Sequence, residues 1–347
     1  MKLYRYLSIF LFISLFISPA NAEPFKLISS TDNPEKSFHV ATLQKFDELL
    51  KKYSAGKLVT EIHYRGSKEF PAIIGEEGSV NMMIAGRSGV HQTINVTVVA
   101  AGNIALRVPI LNFLTLPYLF PDFQSAKKLF QSDYMLTDIN KIIAEKHNVR
   151  VLGWLIGGFR HMTNSKKPVT RFEDMEGLII RTPRNRLMRD TYLALGATVT
   201  ALNWEDTFNA LEEGTIDGQE NPYNVIFYSK FWNAKQKYVT NNGLFLWGGA
   251  ILMNEDFYQS LSPELQVAVK KAGLEASKYE WKWIAENILE SKQALLDHGM
   301  LISDLKDKQK WIDATRKLWD RYYTVIGYGD KAKGKTVVDK VLKIYGK

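Results

Sequence analysis

Residues 177–214, GLIIRTPRNRLMRDTYLALGATVTALNWEDTFNALEEG, switch repeatedly between two periodicities, and that switching decides the fold class. GLIIRTP reads as a buried strand stopped by Pro183, whose nitrogen has no proton to give a ladder. RLMRDTYLALGA follows with helical spacing and closes at Gly196; TVTAL is again a strand, and WEDTFNALEEG a helix closed by Gly214. Strand then helix, twice over, is an α/β unit with a largely parallel sheet.

The same alternation holds upstream. FKLIS reads as a strand, STDNPEK as a polar turn, and Phe38 to Tyr53 as a helix with Leu43, Phe46, Leu50 and Tyr53 on one face. KLVTEIHYR (57–65) is a strand, Val80 to Arg87 a short helix, and HQTINVTVV another strand; a helix near Asp138 to Lys146 then runs into the buried strand RVLGWLI. Two such units in tandem, with no flexible linker, predict two lobes joined by strands that pass between them. The run from Ser262 to His298 carries Ser262 as cap, Pro263 in its first turn and Gly299 after its end, with Leu265, Val269, Ala272, Ala276, Tyr279 and Trp283 at helical spacing. A helix of that length extends about 55 Å at roughly 1.5 Å per residue, enough to brace both lobes.

Composition removes several classes of function. Residues 1–22 begin with Lys2 and Arg5, continue through an apolar run, and end in Ala20-Asn21-Ala22, the small-x-small pattern cut by a signal peptidase. The expectation is export to the periplasm with cleavage after Ala22; the apolar run is short for a membrane anchor, which needs about 20 residues. The chain has no cysteine, so neither disulfides nor thiol chemistry enter. Its net charge of +8 is dispersed, without the basic stripe and interleaved aromatics of a nucleic-acid surface. The histidines at 39, 63, 91, 147, 161 and 298 show no metal-ligand spacing, and neither a metal nor another cofactor is expected. GDKAKGKT (329–336) matches a phosphate-binding loop letter for letter but lacks the strand and domain that motif needs, and reads as a polar turn.

Two features point to a ligand. DGQENPY (217–223) holds more polar chemistry than a turn requires; Asp217 and Glu220 are either an acid–base pair or structural groups of a turn. Arg181 stands at the end of a buried strand, where strand ends open into the ligand crevice of α/β folds. Its guanidinium is suited to grip a carboxylate through two parallel hydrogen bonds, and an internal salt bridge is an equal alternative.

From Arg160 to Trp232 the chain resembles the periplasmic solute-binding proteins of tripartite ATP-independent periplasmic (TRAP) transporters, the dicarboxylate-binding family. GGFRHMTNSKKPV, EDMEGLIIRTPRN, LGATVTALNWEDTFNALEEGTIDGQENP and, downstream, LSPELQVAVKKAGLEASKY carry the likeness. The resemblance implies an α/β, two-lobed periplasmic binding protein with a ligand cleft, inter-lobe strands and a long bracing helix: 23–157 with 247–286 as one lobe, 158–246 with 287–347 as the other. It implies Arg181 as the principal carboxylate-binding arginine, Asn221 as its amide partner, Arg160 as a second arginine, Trp204 as an aromatic wall, and Glu77 of EEGSVN as a group that reaches the ligand. Trp247 of LFLWGG is a further candidate without a secure counterpart. KEFPAIIG (68–75) is longer than relatives usually show, and Trp204 replaces a phenylalanine common among them. The function implied is capture of a small organic acid, a C4-dicarboxylate, a related hydroxy or oxo acid, or a sugar acid, for delivery to the small and large TRAP membrane subunits, without catalysis. The alternatives are a periplasmic enzyme using Glu220 or Asp217 beside an arginine, and a sensor subunit.

Overall fold

A computed structural model describes residues 23–67, 75–85 and 94–346. The leader read at 1–22, most of the insertion at 68–75, and the ends assigned at Arg87 and His91 lie outside the described residues. The strands are β1 (Phe25–Pro34), β2 (Leu58–Arg65), β3 (Val96–Ala100), β4 (Val149–Asn164), β5 (Ile179–Thr182), β6 (Thr198–Ala201), β7 (Gly218–Asn221), β8 (Tyr238–Asn254) and β9 (Leu301–Asp304). They form one sheet in the order β2-β1-β3-β8-β4-β7-β5-β6, with β9 added to β8.

Within this sheet β2, β1 and β3 are parallel to one another, as are β7, β5 and β6. Between the two sets run β4 and β8, antiparallel to each other from Val149↔Asn254 to Asn164↔Tyr238. One end of β8 pairs with β3 and the far end of β4 pairs with β7, so both strands belong to both halves. Their ladder shifts register at Val151/Gly153, Ile156/Gly158 and Arg160/Met162. Such bulges bend and twist a strand pair. The bend is built from glycine: Gly158 has φ +108°, and a Cβ at Gly157 or Gly249 would come within 2.6 or 2.5 Å of the Trp247 ring, so only bare backbone admits that indole.

The long helix spans Pro263–Asp297, capped by Ser262 Oγ, as its start and stop signals predict. Its buried face is offset from the predicted stripe: Ala268, Val269, Ala272, Gly273, Ala276, Ser277 and Glu280 face inward while Tyr279 is exposed. Small residues win the inner face because the helix lies almost on the β4 backbone. A Cβ on Gly273 would sit 2.5 Å from Leu152 Cβ, and one on Gly153 would sit 2.5 Å from the Gly273 carbonyl oxygen. Glu280 accepts a hydrogen bond from the Ile156 amide at 3.0 Å, and Trp281 Nε1 donates to the Trp154 carbonyl at 3.0 Å, pinning the helix beside the bulges.

Three segments differ from the sequence reading, and two share one cause. STDNPEK is not a turn through its length, because β1 continues to Pro34 with Asp32 and Asn33 buried. DGQENPY is not a turn either: Gly218–Asn221 is a buried internal strand paired antiparallel with β4. In both, polarity marks a strand end facing a cavity and not water. In GDKAKGKT the turn stops at Asp330, which caps the helix Lys331–Ile344 by accepting from the Lys333 amide at 3.0 Å; the helix Lys308–Ile326 precedes it, so the motif lacks its strand. No described helix is long and apolar enough to cross a membrane.

Candidate ligand-binding cleft

Because the two parallel sets point toward each other across β4 and β8, the carboxyl ends of β1, β3, β5 and β7 converge. Asn33, Ala100, Arg181 and Asn221 end up around one cavity of about 620 Å³ of empty space, counted out to its mouth. Its floor is the bend in the central pair, with Arg160, Phe245, Leu246, Trp247 and Gly248. A second chamber opens outward from it past Arg181 and Trp204. At that mouth the Glu205 carboxylate, on the helix Trp204–Glu213, approaches Gly75 at the start of the helix Gly75–Ala85, so the halves meet over the cavity.

Arg181 is 4% exposed, and both Nε and Nη2 donate to the Leu202 carbonyl, at 3.0 and 2.6 Å. Its guanidinium lies 5.8 Å from the Trp204 ring centre. Among the described residues it has no ion-pair partner, which decides against the internal salt bridge left open by the sequence. Burial, and secondarily the nearby Arg160, lower its pKa to about 10, while Glu220, Glu205 and Glu76 oppose the shift. The group stays cationic at neutral pH, held in place by a neutral carbonyl. A buried cation without a counter-charge costs several kcal/mol, which an incoming anion offsets.

Arg160 is differently placed. Its Nε donates to a Glu220 carboxylate oxygen and its Nη2 to the Glu220 carbonyl at 2.8 Å, so its charge is matched internally. Burial pushes the Glu220 carboxyl upward, opposed by Arg160 and Arg181. Asp217 does not reach the cavity; its carboxylate accepts from the Ile179 amide at 2.8 Å and anchors the start of β5. Asn221 lines the cavity and is steadied by a relay in which its Nδ2 donates to Gln219 Oε1 at 2.6 Å and Gln219 Nε2 donates to Thr163 Oγ1 at 3.0 Å. Trp204 packs edge-on to Phe231 at 5.8 Å and forms one wall.

The opposite wall comes from the first half. The acid that lines the inner cavity is Glu76, 9% exposed; Glu77 lies in the outer chamber, 34% exposed, with Arg107 at 3.7 Å. Glu76 accepts from the Ala100 amide at 2.9 Å, from Asn103 Nδ2 at 2.8 Å and from Asn33 Nδ2 at 3.4 Å. Burial raises its pKa against these bonds. Tyr228 donates to Asn33 Oδ1 at 3.4 Å, and His39 stands edge-on to Trp247 at 5.0 Å. Sequence reasoning missed Asn33, His39, Glu76, Asn103 and Tyr228. The available signal was the polar end of β1, set aside as a turn.

Two α/β halves that share a sheet and close over a polar cavity holding an unmatched arginine define a solute-binding protein. The chain belongs to the bacterial extracellular solute-binding proteins of family 7, the DctP family, whose family model matches residues 28–325. It is 30% identical over 279 residues, 80% of each chain, to the 2,3-diketo-L-gulonate-binding periplasmic protein YiaO of Escherichia coli. Among solved structures it is similar to a TRAP periplasmic solute-binding protein of Haemophilus influenzae with bound L-gulonate, at 26% identity and TM-score 0.81 over 92% of this chain and 99% of that one. A TRAP periplasmic solute-binding protein of Rhodobacter sphaeroides in an apo, open form gives 29% identity and TM-score 0.74 over 92% and 99%.

Proposed function

We propose that the protein, released by cleavage after Ala22, captures a small organic acid in the periplasm and presents it to the small and large membrane subunits of a TRAP transporter. Arg181 and Asn221 hold the carboxylate, Trp204 and Trp247 pack against the carbon skeleton, and Arg160, engaged with Glu220, adds positive potential. Glu77 acts at the mouth. The lobes that close are 23–157 with 247–286 and 158–246 with 287–347, hinged on the bend of β4 and β8.

The observation that carries this reading is Arg181: buried, cationic and, among the described residues, bonded only to the Leu202 carbonyl. The family and the acids named for its relatives support it. Glu220, the candidate base of an enzymatic reading, is occupied by Arg160, which supports binding over catalysis. The test is thermal unfolding against organic acids, sugar acids and neutral sugars. A bound acid at 100 times its Kd stabilises by roughly 2.7 kcal/mol, and Arg181→Ala abolishes that shift. A shift with neutral sugars alone removes the carboxylate role.

A further inference from the structure

Charge matching and one unpartnered side chain narrow the ligand further, on the strength of the carboxylate reading just given. The cations lining the inner cavity are Arg160 and Arg181, and the first is matched by Glu220. One positive charge is therefore left for a ligand, and the wall formed by the first half adds a carboxyl, Glu76, together with neutral amides. With Glu76 ionised the four groups sum to zero; with it protonated they sum to plus one. In neither state do the described residues of the inner cavity hold a cation for a second carboxylate, Arg184 lining the outer chamber instead, and an ionised Glu76 repels one.

His39 supplies the other half of the argument. It lines the cavity, is 1% exposed, and neither ring nitrogen has a hydrogen-bond partner among the described residues. The ring is fixed by stacking on Phe38 at 3.9 Å and by the edge contact with Trp247. Its Nε2 lies 3.9 Å from Glu76 Oε1, too far for a direct hydrogen bond but close enough for one oxygen to reach both at roughly 2.8 Å. Burial depresses its pKa to about 3, so the imidazole is neutral and carries one donor and one acceptor. A hydroxyl, itself donor and acceptor, matches such a pair in either state of Glu76; a carboxylate, acceptor only, bridges the ring to Glu76 only when Glu76 is protonated, and its charge then has no cation beside it among the described residues of the inner cavity.

We infer that the ligand is a polyhydroxylated monocarboxylate, with its carboxylate on Arg181 and a chain hydroxyl bridging His39 and Glu76, and that His39 determines specificity against dicarboxylates. The experiment is isothermal titration of the purified protein with D-gluconate, L-gulonate, D-galactonate, succinate, L-malate, hexanoate and D-glucose, repeated with His39→Phe, which keeps an aromatic ring at that place. The expected result is binding of a polyhydroxy acid about 10-fold or more tighter than any dicarboxylate or hexanoate. His39→Phe should weaken that binding by about 10-fold or more and leave hexanoate nearly unchanged. A dicarboxylate bound as tightly as the best polyhydroxy acid overturns the inference and leaves organic-acid capture standing. Glucose binding with silence from every acid overturns both. If His39→Phe does not fold, deoxy analogues of the best aldonate on the unaltered protein decide: a 10-fold loss for one position supports the bridging hydroxyl, and equal affinity for all of them overturns it.

Discussion

Arg181 and Arg160 are both buried, yet removing each has opposite consequences. Among the described residues Arg181 has no ion-pair partner, so Arg181→Met takes away a buried cation bonded to a neutral carbonyl and fills its place with carbon. The unliganded variant is expected to melt at or above the temperature of the parent while losing at least about 2 kcal/mol of acid binding, checked by thermal unfolding with and without ligand. Arg160→Met instead strands the Glu220 carboxylate, 1% exposed, and is expected to cost about 3–5 kcal/mol in urea denaturation, with much of the loss recovered when Glu220→Leu is added. Lysine at 181 keeps the charge but not the fork that uses one edge on Leu202 while presenting another to a carboxylate, and Arg181→Lys is expected to weaken binding by about 10-fold or more.

At the level of elements, the contact between the long helix and β4 sets how the bend behaves. Gly273→Ala drives a methyl into Leu152 and is expected to destabilise by about 1–3 kcal/mol in urea denaturation. Glu280, beneath the bulges, has its carboxyl pushed from 4.5 to about 8 by burial, against the Ile156 amide bond. The folded state thus holds a proton that the unfolded chain releases above 4.5. Its contribution to stability is full below that pH, falls as pH rises toward 8, and levels beyond. Glu280→Gln is expected to flatten that part of the pH profile, seen as a parent-minus-variant difference in urea denaturation between pH 5 and pH 8. Helices and apolar strands were legible in the sequence because periodicity and caps report local preference: Phe38–Tyr53 and Pro263–Asp297 appear where their signals put them. Arg181 was singled out by its place at a strand end, and Asn221, Arg160 and Trp204 by the resemblance that one continuous stretch carries; all four line the cavity. Asn33, His39, Glu76 and Asn103 were not, since they arrive from separate elements of the first half and polar strand ends look the same as turns until the opposing wall is known. The inner face of the long helix was legible in part: Val269, Ala272 and Ala276 of the expected stripe are buried, but helical spacing did not mark Ala268, Gly273 and Ser277, which close approach of a backbone selects.

At the scale of the whole molecule, Glu205 of one half stands beside Gly75 of the other, so the two halves meet over the cavity. A ligand that touches both halves shifts the population toward this form only by its difference in affinity for open and closed states. Small-angle scattering is expected to show a smaller radius of gyration with ligand than without, and no change for Arg181→Ala under the same additions. The shared sheet also constrains the order in which the molecule is assembled. β3 waits for β8, more than a hundred residues downstream, and β4 waits for the same strand, so neither half is complete until residue 254 is available. A polypeptide growing from the ribosome therefore carries open strand edges through most of its synthesis, a state that favours chaperone capture over early folding. For a chain exported as proposed above, that delay is an advantage: the strand that finishes both halves is also the one that keeps either from closing too soon.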